Sequence, residues 1–270
     1  MRSGSAAALQ RVKDTWNSLL QEKQGQELAF AEELFQASDL LLKNTALTRA
    51  LEDDSRSVVD RQTLSTAIFG NRVSGDIADL LNGLVRESWS EPGDFALAVE
   101  NLAVETVLAG SQAQGLLSKT EEELYQLMRL LKENRELRLA LTNKQYAAIT
   151  RKELAVKVLP SLNPFTQALL ARGLDTIESQ TLVAALSSYV NAAAQRGEHL
   201  VAAVTSAIPL TDAQQERLTQ ILAAHYGENI QLHIALNPEI IGGLRIRIGD
   251  EVIDGTLATR LAMVKEEINN

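Results

Sequence analysis

The 270-residue sequence contains no cysteine. That absence removes disulfides, thiolate nucleophiles and cysteine-rich zinc sites together, so the fold must rest on packing alone. Histidine is nearly as scarce: His199, His225 and His233 are the full set. They fall in different expected elements, and no two have metal-ligand spacing, so none is expected to serve catalysis. Only 5 prolines and 15 glycines interrupt the chain, which favours helix over sheet. No apolar run approaches the roughly 20 residues needed to cross a bilayer, and Met1–Gln10 lacks the charged-then-apolar pattern of a secretory signal. No direct membrane insertion is expected. Positive charge is also short, with a net charge of -9 that opposes non-specific attraction to nucleic acid or anionic lipid and favours partners with basic segments.

What is present is ordinary for a folded protein: 45% apolar and 23% charged residues, over a length that suits at least two cores. Apolar positions at helical spacing predict two helices within 5–41, broken near Gly25, and further helices over 58–69, 75–87 and 95–108. The turns at Gly70-Asn71 and Glu91-Pro92-Gly93 are short, which implies antiparallel neighbours. After Gly115 the pattern restarts. A shift of 90 positions aligns 47–84 with 137–174 without a gap and gives nine identities in 38 positions, among them Arg61 with Arg151 and Gly83 with Gly173.

From His199 the character changes. A β-branched apolar run to Ala207 reads as a buried strand, Thr211 to Gln214 as a capping box opening a helix through Tyr226, and Gly227 as its stop. Short strands follow at 230–236, 244–248 and 251–253, with a hairpin expected at Gly249-Asp250. Leu257, Leu261, Val264 and Ile268 then mark an amphipathic helix able to cover one face of the sheet. The expected fold is mainly α: a duplicated N-terminal helical bundle followed by a small C-terminal α/β (α+β) domain. The expected domains are 1–110, 111–198 and 199–270.

Candidate chemistry is sparse. The glycine-bearing stretches at 70–76 and 110–116 lack the lysine of a phosphate loop and read as helix ends. Glu121, Glu122 and Glu123 point in different directions on a helix, cannot converge on one cation, and read as a solvated first turn. Trp16 and Trp89 read as packing residues. No catalytic residue, cofactor, metal or small-molecule substrate is expected.

One stretch is more specific: Ile230-Gln-Leu-His-Ile-Ala-Leu236-Asn237-Pro-Glu-Ile240-Ile-Gly242-Gly243-Leu244-Arg-Ile-Arg247-Ile-Gly249-Asp250, followed by Glu-Val-Ile-Asp254-Gly255. It resembles the C-terminal signature of the delta-subunit family of F-type ATP synthases, which includes the mitochondrial oligomycin-sensitivity-conferring protein. Leu131 to Leu141 and Arg151 to Leu159 resemble the middle of that family's helical bundle, and Ala207 to Thr211 the entry to its C-terminal part. The earlier helical copy is similar to the long actinobacterial-type form.

The resemblance implies a peripheral-stalk role in proton-driven ATP synthesis, at the cytoplasmic face of the cell membrane. The helical part would hold N-terminal segments of alpha subunits, and the C-terminal part would meet the b-type stalk. It implies that Leu236, Asn237, Ile240, Gly242, Gly243, Arg247, Gly249, Asp250, Asp254 and Gly255 are structural or stalk-facing. The residues alone leave open a helical-repeat adaptor of another complex, and an enzyme housed in the C-terminal module.

Overall fold

The computed structural model describes residues 1–227, 229–238, 240, 242–248 and 251–254. The chain divides into two compact units, Met1–Tyr189 and Val190–Asn270.

The first unit is helical. Its elements are α1 (Ser3–Glu22), α2 (Glu27–Lys43), α3 (Thr45–Glu52), α4 (Val58–Phe69), α5 (Gly75–Arg86), α6 (Asp94–Ala113), α7 (Leu117–Glu133), α8 (Arg135–Thr142), α9 (Ala148–Val158) and α10 (Pro164–Asp175). α11 (Leu182–Arg196) begins in this unit. Gly25, with φ of 89°, makes the expected break between α1 and α2.

The duplication reaches further than the sequence match. The first residues of α2 and α7, Glu27 and Leu117, lie 90 positions apart, as do Thr45 and Arg135 of α3 and α8, and Val58 and Ala148 of α4 and α9. Shifting α1 by the same amount lands on α6, so α6 both closes the first set of six helices and opens the second. Position 110, proposed from sequence as a domain boundary, falls inside this helix.

Equivalent contacts repeat with the elements. Glu33 of α2 accepts from the Ser74 backbone N–H at 2.7 Å, and Glu123 of α7 accepts from the Asn163 N–H at 3.0 Å. Ser74 and Asn163 are the N-caps of α5 and α10, so each carboxylate ties a helix start to its neighbour. Arg61 and Arg151, both buried, reach carbonyls at the C-terminal ends of α5 and α10: Glu87 O at 3.4 Å and Leu174 O at 3.3 Å.

The glycine pair behaves differently. The two N-caps are 89 positions apart, which puts Gly83 and Gly173 one residue out of structural register. A Cβ on Gly173 would meet Leu182 Cδ1 at 2.8 Å, whereas one on Gly83 would meet nothing within 4 Å.

One further reading is corrected by packing. α7 starts at Leu117, so Glu121 to Glu123 lie beyond its first turn; Glu121 is fully buried and Glu123 is the N-cap brace just described. The stretch 110–116 ends α6 as expected, with Gly115 at φ 68°, and Gly110 in its last turn has a packing role besides: a Cβ there would come within 2.8 Å of Glu27 Cβ on α2 and of Phe165 Cε1 on α10. The missing side chain lets three helices from both copies approach. Trp16 and Trp89 are buried, and the Trp16 indole N–H donates to Thr106 Oγ1 on α6 at 2.8 Å.

The second unit contains β1 (His199–Ser206), α12 (Asp212–Tyr226), β2 (Asn229–Leu236), β3 (Leu244–Ile248) and β4 (Glu251–Asp254), in sheet order β2-β1-β3-β4. β1 and β2 are parallel through the α12 crossover, while β1–β3 and β3–β4 are antiparallel. The Thr211–Gln214 capping box forms as expected, and Gly227 ends α12 at φ 72°. Ala202, Val204, Ile230, Ile246 and Ile248 form one face of the sheet and pack with Leu222 of α12. Ile248 lies opposite Glu251, in keeping with the expected hairpin, although Gly249 and Asp250 themselves lie outside the described residues. The expected helix over 257–268 also lies outside them.

Candidate functional site

Five of the signature residues, Leu236, Asn237, Ile240, Gly242 and Gly243, gather at one end of this sheet, because the strand order forces it. β2 and β3 flank β1, and both pair at their near ends with Ser206: Leu236 from one side, Leu244 from the other. The described residues between them, 237–238, 240 and 242–243, therefore arch over the end of β1. The Asn237 N–H donates to the Ser206 carbonyl at 2.8 Å, the Ile240 N–H to the Asn237 carbonyl at 3.2 Å, and the Gly242 N–H to the Ile240 carbonyl at 2.9 Å. Gly242 and Gly243 have φ of 67° and 81°, a left-handed conformation that a Cβ penalises, so the pair is required by the reversal.

Around this arch the surface is apolar: Leu236 is 48% exposed, and Ile208, just beyond β1, is 70% exposed. Arg247 lies on the exposed side of β3, opposite Ala203 and Val252. Asp254 pairs with Arg245 at 2.9 Å across the β3–β4 ladder. The structure thus brings together Leu236, Asn237, Ile240, Gly242 and Gly243 in the arch and sets Arg247 and Asp254 further along the sheet. Gly249, Asp250 and Gly255 lie outside the described residues.

The helical unit holds a site that sequence reasoning missed. Arg172 of α10, 3% exposed, donates through Nε to Glu100 Oε1 at 2.8 Å and through one terminal nitrogen to Glu100 Oε2 at 2.6 Å, and through the other to Asp39 Oδ1 at 2.8 Å. Its guanidinium also stacks 4.8 Å from the Phe35 ring centroid. Burial alone would depress its pKa, but the Glu100 and Asp39 carboxylates outweigh that and hold it above the ordinary arginine value. Asp39 belongs to α2 and Glu100 to α6, so one buried cation fastens the second helical copy to the first. No spacing rule links positions 39, 100 and 172, and sequence offered no signal for this triad.

Exposed apolar side chains gather on α9: Ile149 is 63% and Val156 54% exposed, seven residues apart and so on one face. Beside them, α9 and α10 leave a shallow recess of about 30 Å³. The three histidines lie in β1, α12 and β2, and no cluster of potential metal ligands occurs among the described residues. No helix among the described residues is long and apolar enough to cross a membrane.

Comparison with known proteins shows the family. Residues 104–268 match the family model described as ATP synthase delta (OSCP) subunit. The chain is 34% identical over 269 residues to the ATP synthase subunit delta of Beutenbergia cavernae, covering 99% of each chain. It is 35% identical to that of Streptomyces griseus, with 97% of each covered, and 36% identical to that of Thermobifida fusca, with 87% of this chain and 88% of the other covered. A chain from the Toxoplasma gondii mitochondrial ATP synthase hexamer aligns over 63% of this one and 97% of its own length, at 15% identity and a TM-score of 0.39. The Beutenbergia and Streptomyces relatives match over nearly the whole length, both helical copies included, and the chain belongs to the ATP synthase delta (OSCP) subunit family.

Proposed function

We propose that this chain is a non-catalytic part of the peripheral stalk, holding the catalytic head of the ATP synthase to the b-type stalk so that the head does not turn with the rotor. The helical unit grips N-terminal segments of alpha subunits, and the arch end of the C-terminal module meets the b-type stalk. The complex places the chain at the cytoplasmic face of the cell membrane, attached through its partners. The observation that carries this reading is family membership over the whole length, joined to a helical body whose two copies are fused through α6 and Arg172. A brace must transmit load between two attachments without yielding, and a shared helix with a buried ion triad meets that need. Two attachments on one chain also raise the effective concentration at each contact.

Reconstitution of the complex with and without this chain tests the proposal. Loss of head attachment and of proton-driven ATP synthesis in its absence is expected, with both restored on adding it back. Full coupling without the chain would overturn it.

A further inference from the structure

The second unit has a recess at the end of the sheet away from the arch. β1 and β2 are parallel and begin side by side, with His199 opposite Asn229, so the turn before β1 and the last turn of α12 come together there. Glu198, Ala223, Ala224, Gly227 and Asn229 line an open space of about 630 Å³. Three of the five carry no side chain beyond Cβ, and a Cβ added to Gly227 would meet nothing within 4 Å. The last turn of α12 is thus open to a ligand, which would meet the negative end of the helix dipole and the outward-facing carbonyls of a helix C-terminus.

Glu198 is held at this recess against its backbone preference. With φ of 55° it is the one non-glycine residue in the left-handed region among the described residues. Gly197 does not take that position because it meets a different need: a Cβ on it would come within 2.5 Å of the His199 ring. The left-handed position therefore falls one residue later, where glycine or asparagine is the unstrained choice, and it holds a glutamate. The side chain does not repay this within the chain. It is exposed, and its carboxylate has no hydrogen-bond or ion-pair partner among the described residues. Backbone strain of this kind, at the rim of a recess and without a local reward, points to a role outside the turn itself.

We propose that this recess seats a basic side chain, lysine or arginine, of the b-type stalk. Glu198 supplies the full negative charge, the end of α12 a partial one, and Asn229 a side-chain acceptor. A bare divalent cation is a poorer fit, because one carboxylate falls short of the six or more oxygens that such an ion gathers and no cluster of metal ligands occurs among the described residues. Charge favours a basic arm more widely: from Val190 to Asn270 the chain carries ten acidic and six basic residues. The 8 residues of β1 put the recess about 23 Å from the arch at the usual strand rise. A helix covers that distance in about four turns, so the stalk segment at the arch carries its basic residue about 15 positions from its apolar contact. This deepens the stalk reading and rests on it.

The test uses the full chain and the purified cognate b-type stalk in detergent. E198Q keeps the shape and removes the charge, and is expected to weaken stalk binding about fivefold at low salt, with the difference shrinking at high salt. A224W, at an exposed position, fills the recess and is expected to weaken stalk binding at least about tenfold, with binding to the catalytic head unchanged in both variants. E198G removes the side chain and the strain together, and is expected to bind the stalk as weakly as E198Q while melting no lower than wild type. Equal stalk affinity of wild type, E198Q and A224W would overturn the recess while leaving the stalk role intact. Failure of the wild type to bind the stalk would overturn both. E198G melting below wild type would make Glu198 a part of the turn and overturn its assignment. Calcium that raises the melting temperature of wild type and not of E198Q, with stalk affinity equal in the two, would mark an ion site and overturn the proposal. Dimerisation of the chain that A224W abolishes, with stalk affinity unmoved, would mark a contact between copies and overturn it as well.

Discussion

Arg172 joins residues 72 and 133 positions away in sequence, and its removal would strand two carboxylates that now share one buried cation. Breaking a buried pair costs ~3–5 kcal/mol, but the Asp39 side chain is 40% and that of Glu100 18% exposed, so both can recover some water. Arg172→Met is therefore expected to lower unfolding free energy by about 2–3 kcal/mol in urea titrations; a change below 0.5 kcal/mol would mean the triad is ornamental. Tyr189 offers a second check. Its hydroxyl is buried with no hydrogen-bond partner among the described residues, and burial, followed by the Glu100 charge, raises its pKa. A raised folded pKa gives stability that is whole below the unfolded value of about 10 and is lost above it, at up to about 1.4 kcal/mol per pH unit. Tyr189→Phe should flatten the decline in stability above pH 10 and, by removing an unsatisfied group, should not destabilise the protein at pH 7. Single residues with local roles were readable in sequence: the Thr211–Gln214 box, Gly25 and Gly227 all stand where turn and cap chemistry put them. Arg172 and Gly110 were not, because their reasons for being there lie in distant segments that only the fold brings close.

Among elements, the arch over β1 is the most exacting. Gly243→Val places a β-branched residue at φ of 81°, which costs on the order of 1–3 kcal/mol and shifts the loop that carries the exposed Leu236 end. Reduced affinity for the b-type stalk with head binding preserved is the expected outcome, measured by separate pull-downs on the two partners; unaltered stalk affinity would remove the arch from that interface. α4 and the strands were legible because hydrophobic periodicity and punctuation agree there: 58–69 was read from sequence and Val58–Phe69 forms. α7 shows the limit of that reading. Three consecutive glutamates look like a solvated surface, yet Glu121 is buried and Glu123 serves as a brace, because the N-cap it satisfies belongs to α10, forty residues on.

At the scale of the molecule, the repeat was visible as a 90-residue shift, but the sharing of α6 was not, since α1 and α6 match in position more than in identity. A shared helix makes the helical unit one cooperative object: neither copy has a complete set of walls without it. Hydrogen exchange is expected to report one common opening free energy for α2 and α10, and Gly110→Val is expected to lower both together by ~2–4 kcal/mol through the crowding of Glu27 and Phe165. Independent loss of protection in one copy would argue for two separable bundles.

A helix that ends one module and begins the next also has a genealogical consequence. Unequal crossing-over between the two copies, in or out of step by one repeat, would add or delete about 90 codons and leave every junction inside a matching helix. Spans longer or shorter than this one are thus within a single recombination event, with no new fold to be found.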